Sequence, residues 1–275
     1  MKIVYFGSDV FLSCFEYFLQ KHEILALYTY HNEEDYFTEY SIVQKAQQMG
    51  IPVYYESITP EDITRYVKGY NCDLFFIAEY NRILTIPENL EGFRGINTHS
   101  SLLPQGRSYY PIEAAMEREI THTGVTMHKL TNNLDKGDIL LQRSIKVVPE
   151  MDSIDIYLNC AAHAREMLER IIENLDTYWE TAQPQKEKLP YWKRPDESLL
   201  TLHHDMLREE AQNVFRKYNT MTQVKVNGEW FHVTAFTDGV GPVQEEVRFL
   251  SQTRILYQVK DGHLRLHIHP MEVQK

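Results

Sequence analysis

Apolar residues in the first third of the chain fall into short runs that alternate with segments of helical periodicity. Residues 3–7 (IVYFG) form a continuous apolar run that ends in a glycine, which is typical of a buried parallel strand followed by a tight turn. Phe11, Phe15 and Phe18 then recur at helical spacing within residues 11–20. The same alternation predicts strands at residues 23–30, 51–55 and 72–80 and helices at residues 41–50 and 58–70.

The middle of the chain continues with further strands and one long helix. Residues 94–105 are predicted as a strand and a polar turn, and strands at 124–129 and 139–148 flank the loop 130–138. An amphipathic helix is predicted from Ser153 to about residue 175. Because strands that alternate with helices build parallel sheets with right-handed crossovers, we predict an α/β fold with an open, mostly parallel, Rossmann-like sheet flanked by helices.

The pattern changes after residue 182. Residues 182–197 are polar and carry three prolines, which indicates an extended linker. A short helix is predicted at about 203–217, and the strand-like runs after it contain Asn227-Gly228 and Asp261-Gly262, both strong signals for hairpin turns. We therefore predict a small antiparallel β unit at the C-terminal end. The predicted organisation is a first domain at 1–182, a linker at 183–202 and an α+β domain at 203–275.

Composition is ordinary for a globular protein and excludes two classes. Of the 275 residues, 43% are hydrophobic and 24% are charged. No stretch approaches the roughly 18 apolar residues that a transmembrane helix needs, and the first residues lack the apolar core of a secretory signal. Cys14, Cys72 and Cys160 are scattered, without a CxxC or zinc spacing. We expect a cytoplasmic protein with reduced thiols and without membrane contact.

Charge and motifs bear on the class of ligand. The formal net charge is −11 and the isoelectric point is about 5.6. Nucleic-acid binders gain affinity by neutralising phosphates with Lys and Arg, so an acidic chain without a basic run is a poor candidate for a large RNA substrate. Gly7-Ser8-Asp9 is not the GxGxxG fingerprint of dinucleotide sites, and His267 and His269 have no evident third metal ligand. A small-molecule substrate is therefore favoured.

The candidate chemistry lies at a predicted strand end. In open α/β sheets, ligands bind at the carboxyl ends of parallel strands. Asn97 and His99 lie at such an end and, two residues apart in a strand, face the same side. Taken singly, each also fits a turn former or a satisfied polar group. His128 in a predicted strand, and His203 and His204 near a helix start, are interpreted as structural.

The residues that follow complete a pattern. Residues 101–104 read SLLP, Arg107 comes next, and residues 134–140 read LDKGDIL. The order Asn-x-His, Ser-Leu-Leu-Pro and Leu-Asp-x-Gly resembles the folate-dependent formyltransferase family. This family includes methionyl-tRNA formyltransferase, glycinamide ribonucleotide transformylase and the nucleotide-sugar N-formyltransferases. The resemblance covers roughly residues 1–150 and, more loosely, 191–195. Ser100 and Ser108 depart from it, because the family commonly has Pro and Gly at these positions.

The resemblance implies formyl transfer from 10-formyltetrahydrofolate to an amine through a tetrahedral intermediate, without a metal or a covalent enzyme intermediate. Asn97, His99 and Asp135 are the implied catalytic residues. The Asn97 amide and a protonated His99 meet the need for hydrogen-bond donors aimed at a developing oxyanion. A neighbouring carboxylate, Asp135, favours the charged imidazole and can accept the amine proton directly or through a water.

The resemblance also implies where the two substrates bind. Folate is expected between the loops 78–84 and 130–138, with contacts from Ala78, Tyr80, Ile83, Asn132, Asn133 and Leu134. Core packing is an equal alternative for Tyr80 and Ile83. The implied acceptor contacts are Ser8, Arg107, Tyr109, Tyr110, Trp192 and Lys193. Arg107 suits a phosphate or the folate tail, but equally a solvated surface arginine, and a packing role for Trp192 is at least as good an interpretation.

Several acceptors are consistent with this family. The glycinamide enzyme resembles only about the first 200 residues, and the tRNA enzyme is longer and generally uses a basic C-terminal domain. By elimination we expect a nucleotide-linked 4-amino or 3-amino dideoxyhexose, as used in surface-polysaccharide synthesis. A methionyl-tRNA formyltransferase-like enzyme and a non-catalytic folate-binding protein are the alternatives. The resemblance further implies a homodimer.

Overall fold

The computed structural model describes residues 1–30, 41–238 and 245–271, which form two compact units. The first unit contains Met1–Ala115, Ile120–Val148 and Ile156–Lys193. The second contains Met116–Glu119, Pro149–Asp155 and Arg194–Lys275. The segment predicted as a linker, 183–202, is thus divided between the two units at Lys193. None of the described helices is long and apolar enough to cross a membrane.

Seven described strands of the first unit form one sheet, with the buried apolar runs at its centre. The strands are β1 (Lys2–Gly7), β2 (Glu23–Tyr28), β3 (Val53–Tyr54), β4 (Leu74–Ala78), β5 (Gly95–His99), β6 (His122–Lys129) and β7 (Ile139–Lys146). Their spatial order is β3-β2-β1-β4-β5-β6-β7. β3, β2, β1, β4 and β5 pair in parallel, whereas β6 pairs antiparallel with both β5 and β7. The mostly parallel α/β sheet predicted from the sequence is confirmed.

Helices flank this sheet, and local sequence sets their ends. They are α1 (Leu12–Lys21), α2 (Ser41–Gln48), α3 (Pro60–Gly69), α4 (Pro111–Glu117), α5 (Ser153–Glu173) and α6 (Leu175–Glu180). The α3 start shows the cause: the Thr59 side chain accepts the Asp62 amide, Pro60 occupies the first turn, and Glu61 adds negative charge there. The short helices α4 and α6 were not predicted from the sequence.

The sheet register brings the carboxyl ends of three strands together. Gly7 of β1 lies beside Ala78 of β4, which in turn pairs with Thr98 of β5. A Cβ atom at Gly7 would approach the Ala78 carbonyl oxygen to 2.2 Å, so only glycine permits this close pairing. The strand ends therefore form one edge, where the polar residues that follow them meet.

The second unit is a six-stranded sheet covered on one face by a helix. Its elements are α7 (Glu197–Leu200), β8 (Thr201–Leu202), α8 (Arg208–Tyr218), β9 (Gln223–Val226), β10 (Glu229–Asp238), β11 (Val247–Ser251), β12 (Arg254–Val259) and β13 (Gly262–Pro270). The strand order is β11-β12-β13-β10-β9-β8. Asn227-Gly228 joins β9 to β10, with both residues at positive φ as a tight hairpin turn requires. The predicted C-terminal β unit is confirmed, although β8 pairs with β9 in parallel.

Candidate active site

Asn97 and His99 project from the carboxyl end of β5 into the first unit. β5 pairs in parallel with β4 and antiparallel with β6, so its backbone is held by hydrogen bonds on both sides. Positions two apart in a strand share a face, which directs both side chains to the same place. His99 is buried and Asn97 is partly buried. The strand ladder thus fixes an amide and an imidazole side by side.

Asp135, in the loop between β6 and β7, completes the group. Its carboxylate is buried, with Oδ1 lying 3.4 Å from Asn97 Nδ2 and 3.8 Å from His99 Nδ1. Its backbone has φ of 53°, a left-handed conformation that costs an L-residue on the order of 1 kcal/mol. The structure brings together all three residues predicted as catalytic, and it does so with the acid in a conformation that needs support.

The hydrogen bonds of His99 decide which nitrogen faces the carboxylate. Nε2 lies 2.8 Å from the carbonyl oxygen of Gly106. A carbonyl only accepts, so Nε2 carries a hydrogen in every protonation state. Nδ1 therefore faces Asp135, and a second proton on this ring would reside there. At 3.8 Å, His99 Nδ1 and Asp135 Oδ1 are too far apart for a hydrogen bond.

His128 belongs to the same group, although its strand pattern predicted only a structural role. It lies opposite Asn97 in the β5–β6 pair and is buried. Burial lowers the pKa of His128 to about 4, and the Asp135 carboxylate only partly opposes this. Nδ1 donates to the Lys129 carbonyl at 2.9 Å, so the neutral ring accepts at Nε2, 3.1 Å from Asn97 Nδ2.

The neutral ring of His128 sets the orientation of the Asn97 amide. Because Nε2 accepts, the Asn97 atom beside it must be the nitrogen. One amide hydrogen is directed to His128, and the other lies toward Asp135 Oδ1 at a long 3.4 Å. The second hydrogen is weakly held and is available to an oxygen that gains charge during a reaction. The sequence pattern of β6 carries no signal for this role, because the pairing of His128 with Asn97 arises between two strands.

Arg107 supports the Asp135 loop from within the protein. It is buried, and its Nε donates to the Asp135 carbonyl at 3.2 Å. Nη2 donates to Gln185 Oε1 at 2.5 Å, and Nη1 donates to the Leu189 carbonyl at 3.3 Å. Arg107 is therefore not a solvated surface arginine. Its guanidinium donates to protein oxygens, and a contact with a ligand phosphate or the folate tail stays a prediction.

One side chain ties the loop 130–138 to the chain just after the other predicted folate loop, 78–84. Asn132 Oδ1 accepts from the Ile86 amide at 2.8 Å, and its Nδ2 donates to the Ile86 carbonyl at 2.9 Å. Tyr80 packs its ring 5.4 Å from that of Phe6. Ile83 is 58% exposed, so core packing is the wrong interpretation for it. The remaining residues of this set vary in burial: Ala78 is buried, Leu134 is partly buried and Asn133 is exposed.

The residues predicted to contact the acceptor are less uniform. The Ser8 hydroxyl donates to Glu79 Oε2 at 3.3 Å and caps the turn that follows β1. The Trp192 amide donates to the Arg107 carbonyl at 2.8 Å, and its ring is partly buried. Tyr109 is 56% exposed. Tyr110 is partly buried and Lys193 is exposed. Within residues 1–30, 41–238 and 245–271, no group of three His, Cys, Asp or Glu is placed to hold a metal ion.

Comparison with known proteins identifies what this arrangement resembles. The family model described as "Formyl transferase" matches residues 33–172, just over half of the chain. The chain is 29% identical over 185 residues to a methionyl-tRNA formyltransferase of Fervidobacterium nodosum, covering 67% of this chain and 58% of that protein. The chain therefore spans about three fifths of the length of the curated relatives it matches.

Solved structures share the fold at low identity. An N-formyltransferase from Helicobacter canadensis, in complex with folinic acid and dTDP-3-aminofucose, matches with a TM-score of 0.63 and 18% identity, over 98% of this chain and 99% of that one. HypX from Aquifex aeolicus, in complex with tetrahydrofolic acid, matches with a TM-score of 0.67 and 17% identity, over 99% of this chain and 44% of that one.

Proposed function

Because the chain belongs to the formyl transferase family, we propose that it moves a formyl group from 10-formyltetrahydrofolate to the amino group of a nucleotide-linked amino dideoxy sugar. The observation that carries the proposal is the convergence of Asn97, His99 and Asp135 in one buried group. An amide donor, an imidazole and a carboxylate are what acyl transfer to an amine requires.

Each side chain has a defined task in the proposed reaction. The amine nitrogen bonds to the formyl carbon, and the carbonyl electron pair moves to oxygen. Asn97 Nδ2 and a proton on His99 Nδ1 stabilise that oxyanion, each worth about 10²–10³-fold. Asp135 accepts the proton that the amine loses, directly or through a water. As the bond between the formyl carbon and the folate nitrogen breaks, His99 supplies the proton that this nitrogen takes up.

The folate subsite is proposed between the loops 78–84 and 130–138. The Asn132 side chain is used by Ile86, so recognition there falls to backbone groups and to exposed apolar surface such as Ile83. When bound, the folate supplies the activated formyl carbon. The chain's contribution is to hold that carbon beside Asn97 and close to the buried Asp135.

Two observations support an amino sugar as acceptor. The chain aligns end to end with a sugar-complexed N-formyltransferase of nearly the same length. Its net charge of −11 disfavours a large polyanion. A methionyl-tRNA formyltransferase activity is the second candidate, because the curated relatives with 29% and 32% identity carry that name. In either case the residues that transfer the formyl group are the same.

A mass-spectrometric assay separates these acceptors. The full chain is incubated with 10-formyltetrahydrofolate and a panel of nucleotide-linked 3-amino and 4-amino dideoxy sugars, and each product is weighed. One sugar is expected to gain the mass of a formyl group in place of hydrogen, and Asn97→Ala is expected to slow this gain about 10²–10³-fold. Formylation of methionyl-tRNA with an inert sugar panel would overturn the proposal. Folate binding without any turnover would support a binding protein instead.

A further inference from the structure

The loop that carries the proposed catalytic carboxylate, Asp135, depends on hydrogen bonds from outside the loop. Asp135 has a φ of 53°, and two residues later Gly137 lies so close to β6 that a Cβ would meet the Lys129 carbonyl oxygen at 1.7 Å. Within the loop, Lys136 N donates to the Asn133 carbonyl at a long 3.2 Å. The carbonyls of Asp135 and Gly137 need donors from elsewhere in the first unit.

Gln185 supplies one donor to each carbonyl with a single amide, and Arg107 Nε adds a longer 3.2 Å hydrogen bond to the Asp135 carbonyl. Gln185 Nε2 donates to the Asp135 carbonyl at 2.8 Å and to the Gly137 carbonyl at 2.8 Å. Its Oε1 accepts from Arg107 Nη2 at 2.5 Å and from Arg107 Nε at 3.2 Å. Both halves of the amide are therefore used, and they join the acid loop to the buried guanidinium.

The position of Gln185 is itself set by the residues around it. We call residues 183–193 the strap. At one end, the main chain of Gln183 exchanges two 2.8 Å hydrogen bonds with Ile139. At the other end, the Tyr191 hydroxyl donates to the Leu134 carbonyl, and Trp192 N donates to the Arg107 carbonyl at 2.8 Å. The strap thus spans the acid loop with an anchor on each side of Gln185.

We propose that Gln185 is a positioning residue that holds the catalytic Asp135 in its left-handed conformation. No hydrogen bond joins Gln185 to the side chains of Asn97, His99 or Asp135 in the described structure. It acts through the Asp135 peptide, whose rotation would move the carboxylate away from His99 Nδ1 and Asn97 Nδ2. The proposal rests on the formyl-transfer role given above, because it assigns Asp135 a part in the reaction.

The test compares two glutamines of the strap. Gln185→Leu removes both donors, whereas Gln183→Leu removes a side chain that donates only to the nearby Thr181 carbonyl. We expect Gln185→Leu to lower kcat about 10- to 100-fold, the scale of a misplaced catalytic group, with both KM values within about twofold. Gln183→Leu should leave kcat and both KM values unchanged.

A second variant separates the two halves of the amide and guards against a folding defect. Gln185→Glu keeps an acceptor for Arg107 but, when ionised, has no donor for the two carbonyls. We expect it to lose kcat at neutral pH and to recover part of it relative to wild type as the pH falls, because a protonated carboxyl donates one hydrogen bond. A purely structural role for Gln185 predicts no such pH-dependent recovery.

Crystallography tests the proposal without any acceptor. In Gln185→Leu, Asp135 is expected to leave positive φ, and the distance of 3.8 Å between its Oδ1 and His99 Nδ1 should lengthen. An unchanged φ, an unchanged kcat, or an equal loss in Gln183→Leu would overturn the proposal. If the wild-type chain formylates no acceptor, the proposed function fails, and the φ of Asp135 in the variant still decides the role of Gln185.

Discussion

Two parts of the candidate active site are built by different means. Asn97, His99 and His128 lie on neighbouring strands, where backbone ladders determine their positions. Asp135 lies on a loop at positive φ, and side chains from an irregular segment hold it there. The strand residues are positioned by the hydrogen bonds of the whole sheet, whereas Asp135 depends on a few hydrogen bonds from the strap. Removing a side chain on the strands should therefore remove a reacting group directly, whereas removing a contact of the strap should only displace Asp135.

The largest expected effect comes from a strand residue. His99→Ala removes the imidazole that faces Asp135 and is expected to lower kcat/KM about 10²–10³-fold, as loss of an oxyanion donor does. His122→Ala is the control, because His122 is an exposed residue at the start of β6. Steady-state kinetics on the formylated acceptor measure both. If Gln185→Leu lowers kcat/KM more than His99→Ala does, the distinction between directly acting and supporting residues is wrong.

The sequence predicted the fold well because its signals were local. A continuous apolar run such as residues 74–78 is stable in water only as a strand that is buried on both faces. The Asn227-Gly228 pair favours a tight hairpin turn, which requires positive φ at both positions. α4 escaped prediction because its seven residues, PIEAAME, are too few to show a helical period. The strap escaped because its proline-rich composition is also that of an extended linker.

The sequence predicted those site residues that belong to a motif along the chain, but not those whose role depends on contacts with distant residues. Asn97, His99 and Asp135 form a recognisable order along the chain. The part played by His128 depends on cross-strand pairing, which a period within one strand does not reveal. The part of Gln185 depends on a fold-back over 50 residues to Asp135. The burial of Arg107 was not predicted, because the sequence alone does not show which carbonyls surround a guanidinium.

A second test uses the strand-held ring of His128. Its folded-state pKa of about 4 lies below the ordinary value of 6.5, so the unfolded chain binds more protons between these values. The stability that the neutral His128 ring contributes is therefore fully present above pH 6.5 and is lost as the pH falls toward 4. Relative to His128→Gln, wild type should lose roughly 3 kcal/mol of unfolding free energy over this window.

Urea unfolding at a series of pH values measures this difference. His122→Gln is the matched control for the substitution itself, because it changes an exposed histidine of the same strand. A constant difference for His128→Gln would mean that water reaches the ring. In that case the strand part of the site would be as adaptable as the loop part, and the contrast between them would fail.

The smallest expected effect is at the anchor of the strap. The Tyr191 hydroxyl donates to the Leu134 carbonyl, one residue before the acid, and the residue is 40% exposed. Because water can replace part of this hydrogen bond, Tyr191→Phe should cost about 1 kcal/mol or less of unfolding free energy. Tyr70→Phe, at a 51% exposed tyrosine in the same unit, should cost less still. Chemical denaturation measures the unfolding free energy of both variants.

If Tyr191→Phe lowers kcat while its unfolding free energy hardly changes, the Tyr191 anchor, and not Gln185 alone, positions Asp135. Equal stability losses in the two variants would show that this end of the strap is not held by the hydroxyl.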